Sequence, residues 1–533
     1  MTSAAAQTAD AVVIGAGPNG LVAANALVDA GWDVVLLEAN DESGGAVRSA
    51  QVTVDGYLSD MFSAFYPLAA ASPVIKGLGL EAYGLAWAHA PAVLSHALPD
   101  GRSATMWTDV DRTAASVEAF APGDGDAWRD MAAHWDRVRD PLLDALFTPF
   151  PPIAAGTRLL RVLGASGAID LARLGVLPVR RLGEERFRGD GGRLLLTGNA
   201  MHSDVPPDGA GSGIFGWLLA MLGQDVGFPV PRGGAQRLAD ALVRRFEAAG
   251  GLLRTSAPVE GVVVSGGRAA GVRLADGTVV RARHAVLADV AAPVLYRDLV
   301  GLQHLPERLG RDLDRFHWDD PTVKVNWALN RPVPWRSVDA RSAGTVHLGV
   351  DLDGFVDFAA DLSVRRVPRE PFVLFGQMTT ADPTRSPAGT ESAWAYTHVP
   401  QGPEWTPERV DEQVARVEAA VETVAPGFAA TVVGRHVQSP GDLERADANL
   451  VGGAVNGGTA SVHQQLFLRP TPGTGRPETP LEGLFLASAS AHPGGGVHGA
   501  CGWNAARSAL SANGRLGQAR RSLVRTAWGR LLR

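Results

Sequence analysis

The chain has 533 residues, 46% of them hydrophobic, with a formal charge of −7 and a sequence pI near 6.0. That length supports a large core divided over two domains, and the acidic balance argues against a general nucleic-acid binder, so no nucleic-acid partner is expected. Cys501 is the one cysteine, which excludes an intrachain disulfide and fits a reducing compartment.

No basic residue precedes Arg48, so neither a secretory n-region nor an arginine-rich transit peptide is expected. The uncharged apolar stretch GAGSGIFGWLLAMLGQ (209–224) is too short and glycine-rich to span a bilayer. The expectation is a cytoplasmic protein.

Residues 11–40, AVVIGAGPNGLVAANALVDAGWDVVLLEAN, read as strand, tight turn, helix and strand. The run 12–14 suits a buried parallel strand. Gly15, Gly17 and Gly20 then give G-x-G-x-x-G, with Pro18 where a first helical turn tolerates proline. Leu21, Ala24, Leu27 and Val28 follow at core-facing spacing, and the helix stops at Gly31. Glu38 ends the second strand. Gly15 permits the turn, Gly17 lets backbone close on a pyrophosphate, and Gly20 lets helix and strand pack tightly. The helix N-terminus holds phosphates, and Glu38 accepts from ribose hydroxyls. GSGIFG (211–216) also matches, but no strand precedes it, so it reads as a glycine-bearing helix start. After Glu38, ANDESGGAVRSA brings Gly44-Gly45 and Arg48, a glycine pair and a base suited to another stretch of a long cofactor.

Residues from about 76 to 228 are rich in Leu, Ala, Trp, Phe and Pro, with helix-like stretches such as WRDMAAHWDRVRDPLLDALF. They read as much of a cap over an apolar pocket. Residues 230–289 begin with a Gly-Gly turn, continue as an amphipathic helix bearing Leu238, Leu242 and Phe246 on one face, and end in three strands. Near the end, GLFLASASA (483–491) reads as a buried strand, and HPGGGVHGACGWNAARSAL runs through glycines into an alanine-rich helix. Strand, bare loop and helix again aim backbone N–H groups at an electron-rich ligand. A cofactor touched at both ends of the chain is long, which favours FAD over a free nicotinamide. The first unit holds the ADP half and the last loop reaches the ribityl chain and isoalloxazine edge.

These segments, with GGAVRS, VPRGGAQRLADAL and GLFLASASAHPGGGVHGACGWNAA as further motifs, resemble the FAD-dependent flavin oxidoreductases of the phytoene desaturase branch, relatives of the amine oxidases. The resemblance implies that Gly15, Gly17, Gly20 and Glu38 bind the ADP portion and that Gly45 and Arg48 lie near pyrophosphate and flavin. It places the Val259 backbone at adenine and Gly495, Gly496 and Val497 beside the flavin. Lys324, in TVKVNWAL, falls where amine oxidases keep a lysine that water-bridges to flavin N5; the other reading is an edge-strand lysine reaching solvent. The segment differs from desaturase relatives in reading SASA (488–491) for G-A-G-T, and the loop carries glycines where amine oxidases place an aromatic cage wall.

The fold expected is α/β: a Rossmann-like FAD-binding domain built from discontinuous segments 1–75, 229–300 and 431–514, with an α+β substrate or cap domain at 76–228 and 301–430. His498 and, less so, His492 are positioned to move a proton near the flavin, or serve as hydrogen-bonding loop residues. Cys501 is read either as a flavin attachment point or as a small residue at a tight helix start. No metal site is expected, since neither HExxH nor CxxC occurs. The tail 515–533 has six arginines and no acid. Leu516, Leu523, Ala527 and Leu531 make a stripe suited to peripheral contact with an anionic membrane, to docking on the protein itself, or to a frayed end. The expected activity is desaturation or dehydrogenation of a largely apolar or conjugated small molecule, with hydride passing to flavin N5 and an electron acceptor the sequence does not identify. An amine oxidase, a redox-neutral double-bond isomerase and a flavin-binding interaction protein are the alternatives.

Overall fold

The computed structural model describes residues 7–514 and, beyond them, Gly517, Ala519, Arg521, Ser522, Val524, Thr526 and Trp528. The strand Thr8–Ile14 lies at the centre of the first sheet, parallel to Val34–Leu37 on one side and Val279–Ala288 on the other, with Val12 opposite Val35 and Val286. Leu252–Arg254 extends the sheet beyond Val34–Leu37, and Leu484–Leu486 extends it beyond Val279–Ala288. The central strands are continuous apolar runs because helices or loops cover both faces of a parallel sheet. The antiparallel pair Val259–Ser265 and Arg268–Leu274 joins through Val279–Ala288. Helices Pro18–Asp29, Gln236–Ala248 and Ala500–Asn513 share one core with the sheet, into which Leu238, Leu242 and Phe246 are fully buried. First and last helices approach so closely that a Cβ at Gly502 would stand 1.8 Å from the Asn19 carbonyl oxygen.

The second sheet has seven strands in the order Val432–Gln438, Thr322–Leu329, Glu391–His398, Val373–Gln377, Ala343–Leu348, Ala92–Ala97 and Ser103–Met106. All neighbours are antiparallel except Ala343–Leu348 and Ala92–Ala97. Helices Asp124–Leu146, Asp190–Ala200 and Ser212–Val226 pack beside it around Trp128, Trp135, Trp217, Leu195 and Leu222. The turn at 211–216 is a helix start, with Gly211 preceding Ser212–Val226. One expected boundary moves: Val432–Gln438, placed at the start of the last cofactor-domain segment, pairs with Thr322–Leu329, Gln438 opposite Lys324. The chain completes this sheet before it returns to the first one.

A buried ionic group ties the two parts together. Arg385, without exposure, contacts Asp60 Oδ1 and Asp382 Oδ2, each at 2.9 Å. Asp60 also accepts from Ser49 Oγ at 2.6 Å and the Ala235 amide at 2.8 Å, while Asp382 accepts from the Gly233 amide at 2.7 Å.

The tail stripe Leu516, Leu523, Ala527 and Leu531 lies outside the described residues. Nearby, Trp528 packs against the core of the first sheet and Arg521 approaches Glu482 at 3.3 Å. Among the described residues no helix is long and apolar enough to cross a membrane, and no cluster of His, Cys, Asp and Glu is arranged to hold a metal ion.

Candidate active site

The turn after the first strand is held open by its glycines. Gly15 sits at φ 89°, in the left-handed region, and a Cβ there would lie 2.8 Å from the Asp289 carbonyl oxygen. A Cβ at Gly17 would meet Asp289 Oδ2 at 2.8 Å. No side chain caps the following helix, and the Gly20 amide donates to Asp289 Oδ2 at 2.8 Å. Burial, helped by the nearby Asp447 and Glu38 charges, pushes the Asp289 carboxyl up to about 7 against this hydrogen bond. A carboxyl near neutrality suits a neighbour that carries phosphate charge. Glu38 Oε2 accepts from the Ala16 amide at 2.8 Å and Oε1 from the Asn40 amide at 2.9 Å, which fixes its head and leaves each oxygen capacity for a hydroxyl.

The loop before the last helix is equally tight. A Cβ at Gly495 would stand 2.8 Å from Asn456 Oδ1, and one at Gly496 2.6 Å from Leu68. His498 braces this loop: its Nδ1 accepts from the Ala500 amide at 3.0 Å, so Nε2 carries the proton and donates to the Gly494 carbonyl at 3.2 Å. Burial pushes the ring down to about 4. With both nitrogens committed to backbone, His498 positions the loop and is a poor proton shuttle. His492 is buried and does not line the cavity. Cys501 is absent from the lining too; burial raises its thiol to about 12, and Sγ lies 3.5 Å from the Ala491 carbonyl. The geometry fits a small buried residue and gives no support to flavin attachment.

Both glycine regions open on one cavity of about 660 Å³. Gly15, Gly17, Glu38, Gly45, Val259, Lys324, Gly495, Gly496, Val497 and His498 all line it. Gly20 and Arg48, expected at the cofactor, do not. Gly20 stands behind the turn, where a Cβ would meet the Gly15 carbonyl at 2.0 Å. The Arg48 guanidinium is consumed by the Gly45 carbonyl at 3.0 Å and the Ala446 carbonyl at 2.5 Å, so it buttresses the Gly44-Gly45 turn from outside. The cavity also presents buried polar atoms with no partner in the protein: Asn19 Oδ1, Asn199 Oδ1, Thr322 Oγ1, Thr345 Oγ1 and Asn456 Nδ2. Bare backbone at one stretch and unpaired donors and acceptors at another fit an elongated polar ligand such as FAD.

Part of the same cavity is an apolar chamber. Its walls include Phe65, Phe215, Leu218, Leu219, Leu222 and Leu374. Trp394 and Tyr396, two apart on one strand, present stacked rings 5.9 Å apart at 13°. Lys324 Nζ stands 5.5 Å over the Trp394 ring and donates to the Asp60 carbonyl and Asn326 Oδ1, both at 2.6 Å. Its strand has neighbours on both sides and the side chain is 3% exposed, which rules out the edge-strand reading. Burial pushes Lys324 down to about 7, opposed by the Asp60 charge. His202 adds one more polar group, its Nε2 2.9 Å from His347 Nε2.

Sequence reasoning did not find Asp289, Trp394, Tyr396 or His202. Asp289 had a usable signal, an acid ending a strand parallel to the fingerprint strand. Gly17→Val is expected to keep the folded circular dichroism of the parent while lowering the flavin-to-protein absorbance ratio about tenfold or more, because its side chain collides with Asp289 and the ligand path. A full flavin complement in this variant contradicts the assignment.

Residues 19–510 match the model of a family described as flavin containing amine oxidoreductase. The chain is 29% identical over 544 residues to pyridine nucleotide-disulfide oxidoreductase domain-containing protein 2 of Rattus norvegicus, covering 93% of this chain and 92% of that one. It is 24% identical over 516 residues to the neurosporene-forming phytoene desaturase of Rhodobacter capsulatus, covering 91% of each. A solved structure of putrescine oxidase bound to putrescine superposes with a TM-score of 0.59 at 18% identity, over 95% of this chain and 98% of that one, which shows a shared fold.

Proposed function

The chain belongs to the family of flavin-containing amine oxidoreductases and is an FAD-dependent oxidoreductase; from that premise we propose that it removes two hydrogens from a largely apolar or conjugated small molecule. The observation that carries this reading is the distribution of charge along the cavity. Its lining carboxylates are Glu38, Asp289 and Asp447, and all three belong to the glycine-turn end: Glu38 bonds Ala16, Asp289 bonds Gly20, and Asp447 Oδ2 would lie 3.5 Å from a Cβ at Gly45. Around Lys324 the walls are mainly aromatic and aliphatic, interrupted by neutral polar groups such as Thr322, Thr345 and His202, and no lining acid is there to receive an ammonium group. The likeness to a phytoene desaturase over most of both chains supports the same reading.

FAD, when bound, supplies two-electron acceptance at flavin N5. The chain's contribution is holding and proton management. The glycine turn, helix N-terminus and Glu38 hold the ADP half, and the Gly495–Val497 backbone borders the other half. Phe65, Leu218, Leu222 and Leu374 orient an apolar substrate and exclude water. The substrate's other hydrogen leaves as a proton. As a neutral amine, Lys324 donates both N–H groups to Asp60 and Asn326, so its lone pair is left to accept that proton directly or through one water.

The test is anaerobic mixing of the yellow holoprotein with a panel of lipophilic polyenes, terpenes and aliphatic amines. Bleaching of the flavin by an unsaturated or saturable hydrocarbon, with the dehydrogenated product, is the expected outcome. Bleaching by amines alone overturns the reading, and product formed without net bleaching points to an isomerase. If no member of the panel bleaches the flavin or is converted, the binding-protein alternative replaces it.

A further inference from the structure

We infer that Arg469 serves the bound flavin as a fixed positive charge, favouring the anionic ring that remains once FAD has accepted a hydride. Two arginine side chains among the described residues are fully enclosed, Arg385 and Arg469. Arg385 is neutralised by Asp60 and Asp382. Arg469 is 1% exposed and makes no ion pair among the described residues. Its donors all go to backbone carbonyls. Nε and Nη2 reach Ala489 at 3.0 and 2.8 Å, Nη1 reaches Thr459 at 2.9 Å, and Nη2 also reaches Asn456 at 2.9 Å. Gly457 and Gly458 stand slightly further off, at 3.2 and 3.4 Å.

Carbonyl oxygens satisfy the donors without cancelling the charge, and an uncompensated buried ion is costly to keep. Such a group, facing a cleft, marks a functional site more often than a structural one. Asp319 and Asp204 are the acids whose charge reaches Arg469, but neither bonds it. Burial, helped by the Asp204 charge, holds Asp319 up at about 7, so Asp319 is itself only partly ionised near neutrality. A guanidinium does not give up its proton in a protein. Its charge is therefore permanent, whereas Lys324, the other lysine or arginine lining the cavity, is neutral above about 7.

The charge stands at the loop read above as bordering the flavin. Arg469 lines the cavity, and a Cβ at Gly494, next to Gly495, would lie 3.2 Å from its Nε. Through Asn456 it fixes the backbone against which Gly495 packs, where a Cβ would lie 3.0 Å from Asn456 Cα. Its field is felt on the loop as well, since after burial the Arg469 charge helps hold down both His492 and His498. Hydride uptake brings two electrons and one proton to the flavin and leaves the ring with one negative charge. A preset cation in a water-poor site favours that product over the neutral oxidised ring. The inference rests on bound FAD and on this loop bordering its ring, not on which substrate is oxidised.

The experiment is anaerobic dithionite titration of the FAD-loaded full chain against a reference dye, which reads the two-electron midpoint potential without substrate. Arg469→Met is expected to shift the equilibrium toward oxidised flavin by about tenfold or more, a fall of about 30 mV for a two-electron couple. Arg469→Lys keeps the charge but loses the fork of donors, and its potential is expected to stay with the parent. Asp204→Asn removes an opposing charge while its side chain can still accept from the Ala460 amide, and its potential is expected to rise. A methionine variant at the parental potential overturns the proposal. An equal fall in the methionine and lysine variants also overturns it and leaves Arg469 a clamp for carbonyls. If the methionine variant does not hold FAD, the other two decide: a parental value for lysine with a rise for asparagine upholds the proposal, and any other pair overturns it. Because no substrate enters the titration, its failure is distinguishable from failure of the proposed reaction.

Discussion

Replacing Arg385 by methionine is expected to cost the folded chain about 3–5 kcal/mol, because it strands two buried carboxylates that share one guanidinium. Methionine fills much of the arginine volume, so the loss is electrostatic and not a cavity. Asp60 and Asp382 each keep uncharged donors, among them the Ala235 and Gly233 amides, but a buried carboxylate with neutral partners alone lacks a compensating charge. The guanidinium also donates to the Pro231 carbonyl at 3.2 Å, so its removal loosens residues 231–236, the entry to the helix Gln236–Ala248. Guanidinium-induced unfolding followed by circular dichroism is the measurement. Adding Asp60→Asn and Asp382→Asn to Arg385→Met is expected to restore much of the loss, since neutral amides leave no charge to pair. Stability of the single variant within about 1 kcal/mol of the parent means that the carboxylates reach water or protons by another route.

The parts of the site legible in the sequence are those written locally. A glycine turn between a buried strand and a helix has a fixed spacing, so Gly15, Gly17 and Gly495 announce themselves within a dozen residues. Lys324 was placed by resemblance, and its isolation in an apolar strand agreed. Arg48 and His498 had the right residue type in the right neighbourhood, but their side chains are spent on backbone carbonyls and amides, a choice that spacing does not encode. The strand-borne wall of the chamber was illegible for a different reason, whereas Phe215, Leu218, Leu219 and Leu222 come from the segment read as a cap. Trp394 and Tyr396 show the period of a strand, yet which face meets the cavity depends on a sheet whose pairings span the chain, and His202 meets His347 across 145 positions. The same non-local pairing took Val432–Gln438 into the second sheet.

Lys324→Met is expected to leave FAD bound and to slow substrate-driven bleaching by about a hundredfold or more, the usual contribution of a positioned proton acceptor. The sign of its pH dependence follows from burial. Lys324 is held down at about 7, so it is charged and unable to accept a proton below that pH and neutral above it. The bleaching rate of the parent should therefore rise with pH through about 7, and that rise should vanish in the variant. Stability supplies a readout independent of turnover. In the unfolded chain the lysine keeps its ordinary value of 10.5, so between about 7 and 10.5 the unfolded state binds the extra proton and the parent gains stability as pH rises. Below about 7 both states are charged, and the folded state carries the full cost of a buried ammonium. Methionine has no such term, so the variant should lose this rise and gain relative stability on the acid side. Loss of the stability slope with unchanged bleaching kinetics would leave Lys324 a buried structural amine and return the proton to another acceptor.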